Sequence, residues 1–380
     1  MMATLRVVVD QLVAPVPGGI GRYTLELTKQ LIATAPRDCD VEGIVSAVSQ
    51  EKADEITALL PGLAGLHRAT LPRRELSAAW QHGVIGSSGS GMVHATSLMA
   101  PLRKHDRRAD LGTQTAVTIH DVVPWTHPET LTPRGVSWHK AMAKRAARFA
   151  DAVVVPTHAV AEELSRYFRF GDRIRVIGGA VSEELRLPSN PAERALELDL
   201  PERYLLAVGT LEPRKGLRSL IEALAHPATG DLPLMIAGPE GWGDVDVAQV
   251  TATAGVDPAR VRVLGFLTDT DLALVLDRAT VFVYPSLAEG FGLPVVEALN
   301  FGTPVIHADV PALLEVAAGS TFVVERGPAD AYPARLAEAI HAVTDDSALR
   351  ARLAISGLDR ARAFSWRDSA DKVWQLHADL

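Results

Sequence analysis

The chain has 380 residues, enough for two domains of roughly 150 to 200 residues that each bury their own core. Its 38 lysine and arginine residues against 46 aspartate and glutamate residues give a formal net charge of −8, which argues against nucleic acid as the main partner. The single cysteine, Cys39, excludes an intrachain disulfide and a cysteine-rich metal site. Because no window approaches about 18 uncharged apolar residues, we expect a cytoplasmic protein without a signal peptide or membrane span.

Short apolar runs alternate with amphipathic segments through the first half of the chain. Four runs rich in Val, Ile and Leu predict buried parallel strands, at 5–9, 41–48, 115–121 and 151–157. Residues 22–35 and 134–150 have the spacing of helices. We interpret "GSSGSG" (86–91), which directly precedes a strand-like segment, as a surface turn rather than a phosphate loop.

The same alternation restarts in the second half. Further strands are predicted at 204–210, 232–238, 261–266, 280–286, 303–308 and 320–325, each followed by a helical stretch. Two such series predict an α/β protein with two doubly wound Rossmann-like domains facing a cleft. Prolines and charges in 185–204 mark the seam, so we place the domains at 1–190 and 191–365.

Ligands of such folds bind in loops that follow the strands, and the first candidate is a glycine turn. In "PVPGGIGRYTLEL" (15–27), Gly18, Gly19 and Gly21 precede an amphipathic helix. Thr24 stands where a dinucleotide fingerprint needs its third glycine, so we do not predict a nicotinamide site. The turn either offers backbone N–H groups to an anion or is a helix entry without a ligand.

The second candidate is "IHDVVPWTHPE" (119–129), which places His120 and Asp121 at a strand end. His120 could donate a hydrogen bond to a sugar hydroxyl or phosphate; the alternative is a core histidine satisfied by a backbone carbonyl. His120, His127 and His139 lack the spacing of zinc ligands.

The third candidate is "AVGTLEPRKGLRSLIEAL" (207–224), with Arg214 and Lys215 in a loop between a strand and a helix. The planar guanidinium of an arginine and the compact ammonium group of a lysine can together bind the oxygens of a diphosphate. The alternative is a solvated surface pair.

The fourth candidate is "AEGFGLPVVEALNFGTPVI" (288–306), in which two carboxylates, Glu289 and Glu297, lie eight residues apart. Pro294 suits the first turn of a helix from about Leu293 to about Asn300, which leaves unpaired backbone N–H groups around Phe291, Gly292 and Leu293. Glu289 then precedes the helix and Glu297 lies one turn inside it. This layout suits hydroxyl acceptors at the two ends of a nucleoside diphosphate sugar better than a hydrolase pair.

Three of these motifs together resemble one enzyme family. "EGFGLPVVE" (289–297), "GTLEPRKGL" (209–217) and "IHD" (119–121) are similar to motifs of the retaining glycosyltransferases of family 4, which have the GT-B fold. The resemblance spans essentially the whole chain. It implies an enzyme that transfers a hexose from a nucleoside diphosphate sugar to a glycan, a glycolipid or another hydroxyl acceptor.

The resemblance also implies roles for single residues. Arg214 and Lys215 would bind the diphosphate, Glu297 the ribose and Glu289 the hydroxyls of the sugar. The nucleotide base of the donor would contact the turn of Gly265, Phe266 and Leu267. The donor phosphates would contact the turn of Phe291, Gly292 and Leu293. The implied catalytic residues are Glu289, His120, Arg214 and Lys215.

On the first-domain side, the resemblance implies that His120 contacts the donor sugar and that the turn of Gly18 and Gly19 meets the phosphate and the acceptor. Residues 366–380 would form a helix that returns to the first domain. "HDVVPWTHPE" (120–129) is most similar to bacterial mannosyltransferases of cell-envelope glycan synthesis, which favours mannose from GDP-mannose. The alternatives are transfer from a UDP- or dTDP-sugar and a non-catalytic nucleotide-sugar-binding protein.

We expect no metal and no other cofactor, because fixed cations and helix amides can stabilise the departing phosphate. The sequences "DVD" (244–246) and "DTD" (269–271) are interpreted as helix caps rather than as a metal site. Retention, which the family implies, is expected to proceed by substitution on one face, since no residue is clearly placed as a nucleophile.

A basic region of the first domain leaves the nature of the acceptor open. It comprises "RKHDRR" (103–108) and the helix with Arg134, Lys140, Lys144, Arg145 and Arg148. The region either contacts anionic lipid, as a lipid-linked acceptor at the inner face of a membrane would favour, or is solvated surface.

Overall fold

The computed structural model describes residues 3–15, 18–86, 91–105, 112–239 and 246–380. The chain forms two compact units: Met1–Gly179 with Ser365–Leu380, called unit 1, and Ala180–Phe364, called unit 2. The first break therefore precedes the seam that we placed after residue 190. The second falls where the last predicted helix begins.

Within its described residues, unit 1 contains one parallel seven-stranded sheet in the order β3-β2-β1-β4-β5-β6-β7. The strands are β1 (Ala3–Val8), β2 (Cys39–Val45), β3 (Gly65–Arg68), β4 (Gly91–Ala95), β5 (Thr113–Thr118), β6 (Ala152–Val155) and β7 (Ile174–Val176). The helices are α1 (Gly18–Ala33), α2 (Gln50–Leu59), α3 (Arg73–His82), α4 (Val123–Thr126), α5 (Pro133–Phe149) and α6 (His158–Ser165). The strand order reverses between β1 and β4.

Within its described residues, unit 2 contains a parallel six-stranded sheet in the order β10-β9-β8-β11-β12-β13. The strands are β8 (Leu205–Val208), β9 (Leu234–Ala237), β10 (Val261–Gly265), β11 (Val281–Tyr284), β12 (Val305–Ala308) and β13 (Phe322–Val324). The helices are α7 (Pro191–Glu197), α8 (Leu217–Leu224), α9 (Val247–Thr253), α10 (Asp269–Arg278), α11 (Leu293–Asn300), α12 (Pro311–Ala317), α13 (Tyr332–Asp345) and α14 (Ser347–Ala361). Here the order reverses between β8 and β11.

The predicted α/β class with two Rossmann-like domains is confirmed. All ten strands predicted from apolar runs are present, and strands such as β6, β9 and β11 are buried along their whole length. The runs did not reveal β3 and β7, short edge strands whose residues are intermediate or exposed. Most of the turn predicted at 86–91 lies outside the described residues, and β4 begins at Gly91.

The C-terminal helix α15 (Trp366–Asp379) belongs to unit 1 and packs on α1. Trp374 donates its indole N–H to the Thr34 hydroxyl at 3.2 Å, and the Ser369 hydroxyl donates to the Gly178 carbonyl at 2.9 Å. Among the described residues, no helix has the length and apolar character needed to span a membrane.

A buried pair of histidines joins α15 to the sheet of unit 1. The rings of His377 and His94 in β4 lie 5.7 Å apart between centroids. Burial, with repulsion by His377, lowers the pKa of His94 to about 3, and burial lowers the pKa of His377 to about 4. Both rings are therefore neutral in the folded chain.

This pair predicts that the fold is acid-labile. Below the ordinary histidine pKa of 6.5, the unfolded chain binds protons that the folded chain does not. The free energy of unfolding therefore decreases as the pH is lowered. At about pH 5 each histidine lowers the free energy of unfolding by about 2 kcal/mol relative to neutral pH. Thermal unfolding between about pH 7.5 and 5 should therefore depend less on pH in His377→Gln than in the native chain. The exposed-site control His82→Gln should behave like the native chain, and the same pH dependence in His377→Gln would contradict the assignment.

Candidate functional site

In unit 2, the loops after β8 and β11 meet at the point where the strand order reverses. The β8 loop ends in a short 3-10 turn, Pro213–Lys215, and Gly216 follows with φ 66°. A Cβ on Gly216 would lie 2.2 Å from the Pro285 carbonyl oxygen in the β11 loop. Glycine is therefore required here both for its backbone angle and for the close approach of the loops.

Hydrogen bonds fasten these two loops to each other. The Leu287 amide donates to the Arg214 carbonyl at 2.8 Å. The Arg214 guanidinium in turn donates to the Ala288 carbonyl at 2.8 Å and pairs with Glu212 at 2.7 Å. These bonds fix both the backbone and the side chain of Arg214.

The Glu289 carboxylate is the centre of the cluster that these loops form. Its Oε1 atom lies 2.6 Å from Lys215 Nζ and 3.2 Å from Arg214 Nη1. The same oxygen accepts hydrogen bonds from the Tyr284 hydroxyl at 2.8 Å and the Ser286 hydroxyl at 2.7 Å. The side chains of Glu289 and Lys215 are only 9% and 13% exposed, so their attraction is weakly screened.

Burial and charge act in opposite directions on these groups. Burial raises the pKa of Glu289, but attraction by Lys215 and Arg214 and hydrogen bonds from Lys215 and Ser286 together lower it to about 2. Burial lowers the pKa of Lys215, while the charge of Glu289 opposes this change. Burial and the charge of Glu289 raise the pKa of Tyr284 well above its ordinary value, so Tyr284 remains a donor.

The geometry gives Glu289 a contact that the sequence did not reveal. We expected Glu289 at sugar hydroxyls and Arg214 and Lys215 at a diphosphate, as separate groups. In the structure all three form one cluster, in which the carboxylate fixes both cations. The cluster can therefore present two positioned positive charges to an anion with little reorganisation.

The helix predicted after the glycine turn is confirmed, since α11 runs from Leu293 to Asn300 with Pro294 in its first turn. Gly292 precedes it with φ 88°, and Phe291 contacts Phe364 edge-on with ring centroids 5.6 Å apart. Glu297 lies inside the helix and is only 3% exposed. It is thus a buried carboxylate rather than part of the solvated face of α11.

The turn after β10 places an aromatic ring in solvent. Gly265 ends the strand with φ 71°, and the following Phe266 is 80% exposed. Leu267 packs against the core of unit 2. An exposed phenylalanine at the carboxyl end of a strand is unfavourable for solubility but suits stacking with a planar ligand.

In unit 1, a cavity of about 930 Å³ lies where the loops after β1 and β5 meet the starts of α3 and α5. Its lining includes Gln11 after β1, His120 and Asp121 after β5, and Trp138 in α5. The volume is in the range of small-molecule sites.

His120 is held by the backbone and also lines this cavity. Its Nε2 atom lies 2.7 Å from the Thr96 carbonyl oxygen, and its ring contacts Tyr23 edge-on at 4.7 Å. Since a carbonyl only accepts, Nε2 carries the proton; burial also lowers the pKa of His120, although Thr96 and Asp121 oppose this. The neutral ring therefore offers Nδ1 as an acceptor. Of the two alternatives left open by the sequence, the hydrogen bond to a backbone carbonyl is present.

The predicted glycine turn opens α1, which begins at Gly18 with φ 56°. Gly18 and Gly19 are exposed, and a Cβ on either would meet no other atom within 4 Å. The neighbouring Pro15 and Ile20 line the cavity, while Val16 and Pro17 lie outside the described residues. The turn thus adjoins the cavity of unit 1.

Sequence reasoning missed an ion pair beside this cavity, between a buried carboxylate and a partly exposed arginine. Asp10 is fully buried, accepts a hydrogen bond from the Ser46 amide at 2.8 Å, and lies 2.7 Å from Arg73 Nε. Arg73 also donates to the Gln11 side chain at 3.0 Å. The position of Asp10 directly after the first strand was an available signal, whereas no motif marked Arg73.

Residues of the two Asp-x-Asp sequences lie at the starts of α9 and α10. The Thr268 hydroxyl caps α10 at Asp271, and Asp271 pairs with Arg194 at 2.7 Å, which confirms the cap at 269–271. Asp246 caps α9, while Asp244 and Val245 lie outside the described residues. In the described ranges, no group of three or more His, Cys, Asp or Glu side chains could hold a metal.

Two family models match the chain. The model of Glycosyltransferase Family 4 matches residues 17–185, and that of Glycosyl transferases group 1 matches residues 190–359. The chain belongs to these glycosyltransferases. This glycosyltransferase is 29% identical over 377 residues to the O-antigen chain mannosyltransferase B of Escherichia coli, covering 92% of its own chain and 93% of that relative.

Solved structures share the fold of this glycosyltransferase. The sucrose-phosphate synthase of Thermosynechococcus elongatus superimposes with a TM-score of 0.75 at 20% identity, over 99% of this chain and 98% of that one. The Anabaena protein HepE, solved in complex with UDP-glucose, gives a TM-score of 0.73 at 19% identity, over the whole of both chains. At these identities the likeness concerns the fold alone.

The close approach at Gly216 predicts that Gly216→Ala disrupts the cluster of this glycosyltransferase. Gly255→Ala is a matched control, because Gly255 has a similar φ of 68° but nothing within 4 Å of an added Cβ. Both variants lose about 1 kcal/mol from the positive φ, and Gly216→Ala should lose about 1–3 kcal/mol more from the clash with Pro285. Thermal unfolding of the two variants measures the difference. Equal losses would show that the loops separate without cost.

Proposed function

We propose that this glycosyltransferase transfers a hexose from a nucleoside diphosphate sugar to a hydroxyl acceptor, with retention of configuration and without a metal ion. The observation that carries the proposal is the half-buried ion cluster of Arg214, Lys215 and Glu289 in unit 2. The cluster lies at the reversal of the strand order, where ligands of doubly wound sheets bind.

The cluster supplies the charge that a departing diphosphate requires. Negative charge develops on the β-phosphate as the glycosidic bond opens, and cations that are already in position stabilise it without reorganisation. Lys215 and Arg214 are held by Glu289 at 2.6 and 3.2 Å. Glu289 thereby positions both cations, and it also binds the hydroxyls of the sugar.

The remaining parts of the donor extend to either side of the diphosphate. The base stacks on the exposed ring of Phe266, next to Gly265 and Leu267. Glu297 accepts hydrogen bonds from the ribose hydroxyls. Backbone amides of the turn before α11 bind the phosphates, at Phe291, Gly292 and Leu293.

Mannose from GDP-mannose is the donor that we infer first. The support is the mannosyltransferase of Escherichia coli, to which this chain is 29% identical over nearly the full length of both. A UDP-sugar is the alternative, which the fold likeness to a protein solved with UDP-glucose keeps open at 19% identity.

Substitution on one face of the sugar accounts for retention. The bond from the anomeric carbon to the β-phosphate oxygen breaks while the acceptor oxygen bonds to the same face. The proton of the acceptor hydroxyl passes to the departing phosphate oxygen. His120 orients a sugar hydroxyl through Nδ1, since Nε2 is engaged by Thr96.

Substitutions in the cluster and at Glu297 should affect donor binding and turnover to different extents. Lys215→Ala and Glu297→Ala should weaken GDP-mannose binding about 10- to 100-fold, because each removes a charged hydrogen-bond partner. Glu289→Ala should lower turnover most, and it should also weaken binding because it removes the carboxylate that holds Lys215 and one of the two that pair with Arg214. Isothermal titration with GDP-mannose and UDP-glucose, beside initial rates, measures both effects.

Arg218→Ala is the matched control, since this cation of α8 has a side chain that is 65% exposed. Its donor affinity should equal that of the native chain. Unchanged donor affinity in Lys215→Ala would overturn the diphosphate assignment.

The proposed course of the reaction predicts that no sugar becomes attached to the protein. Mass spectrometry of the enzyme quenched during turnover should show the unmodified chain. Proton NMR of the first product should show the anomeric configuration of the donor. A glycosyl adduct on Glu289 or Asp121 would replace substitution on one face by a covalent intermediate, and an inverted product would refute retention.

A further inference from the structure

The cavity of unit 1 is rich in positive charge although the chain as a whole carries a net charge of −8. Its described lining includes Arg73, Arg74 and Arg134. Among the described residues that line the cavity, Asp121 is the only carboxylate. The local charge is thus opposite to that of the whole chain.

These arginines lie where the backbone is already electropositive. Arg73 and Arg74 are the first two residues of α3, and Arg134 is the second residue of α5, which packs against α3. A cation in the first turn of a helix is unfavourable because it faces the positive end of the helix dipole, whereas an anion is favourable there. The first turn of α5 contains no acidic residue, whereas that of α3 contains Glu75 beside its two arginines. Residues placed where they destabilise a helix are typical of a functional site.

The three arginines differ in their partners. Arg73 is fixed by the buried Asp10 carboxylate at 2.7 Å and by the Gln11 side chain at 3.0 Å. Arg74 and Arg134 are exposed, and in the part of the chain that the structure describes neither forms an ion pair. Arg74 and Arg134 are therefore available to an anionic ligand.

Aromatic and polar groups complete the lining. Trp125 stacks on Tyr167 with ring centroids 5.5 Å apart, and Trp138 contacts His139 edge-on at 4.8 Å. The buried indole N–H of Trp138 has no acceptor among the described residues. Indole faces cover the C–H faces of sugar rings, and an indole N–H donates to a hydroxyl.

We propose that this cavity binds a saccharide that bears a phosphate, with the phosphate at Arg74 and Arg134 and the sugar against Trp125 and Trp138. A phosphate ester has close to two negative charges at neutral pH and three acceptor oxygens, which matches two guanidinium groups beside two helix starts. The assignment of this ligand as the acceptor rests on the proposed function. The phosphate anchors the acceptor and takes no part in the transfer.

Direct binding tests the inference without turnover. Isothermal titration with mannose 6-phosphate should show at least about 10-fold tighter binding than with mannose, as expected for charge-assisted hydrogen bonds. Arg74→Gln and Arg134→Gln should each remove most of this preference. Lys144→Gln, which removes an exposed cation of α5 outside the cavity, should retain it. Lys215→Ala should also retain it, which excludes binding at the donor cluster of unit 2.

Two outcomes would overturn the inference: equal affinity for mannose and mannose 6-phosphate, or an equal loss in Lys144→Gln and Arg134→Gln. If GDP-mannose still binds in either case, the proposed function stands and only the anionic acceptor fails. If mannose 6-phosphate binds as expected and no nucleotide sugar does, the proposed function fails instead.

The phosphate could belong to a soluble sugar or to a lipid, and a second arm separates these sources. Phosphatidylcholine vesicles with and without a long-chain alkyl phosphate are sedimented with the protein. Co-sedimentation that requires the alkyl phosphate and is lost in Arg74→Gln assigns a lipid-linked phosphate. Binding of mannose 6-phosphate without such co-sedimentation assigns a soluble one.

Discussion

The ion cluster around Glu289 is the constraint on which the site in unit 2 depends. Two cations placed next to each other away from water repel, and each is disfavoured by burial. A carboxylate within about 3 Å of both offsets these costs only if the loops after β8 and β11 are held together. Three features hold the loops close: the absence of a side chain at Gly216, the hydrogen bond from the Leu287 amide to the Arg214 carbonyl, and the hydroxyl donors Tyr284 and Ser286.

Both units use the same topology but treat charge differently. Each parallel sheet reverses its strand order once, so each creates one point where neighbouring loops diverge and leave room for a ligand. In unit 2 the cations are half-buried and paired with Glu289 and Glu212, which suits charge that must be fixed before a reaction starts. In unit 1, Arg74 and Arg134 are exposed beside helix starts, which suits a ligand that brings its own negative charge.

His120 illustrates how a single contact changes the chemistry of a side chain. The sequence placed it at a strand end and left open whether it served a ligand or a backbone carbonyl. It does contact a carbonyl, that of Thr96, and it also lines the cavity. That contact fixes the proton on Nε2, so the neutral ring can only accept a hydrogen bond through Nδ1. A contact with the backbone and a contact with a ligand are therefore compatible.

The sequence alone determined the features that depend on short-range physics. Apolar runs and helical spacing predicted the parallel strands and the α/β class, and Pro294 after a glycine turn predicted the start of α11. Contacts between distant segments were decided only by the tertiary structure: Lys215 and Glu289 are 74 positions apart, and Asp10 follows β1 whereas Arg73 begins α3. The same holds for the edge strands β3 and β7, whose pairing does not require a continuous apolar run. Linear spacing encodes which face of an element is buried, but not which loops the sheet order brings together.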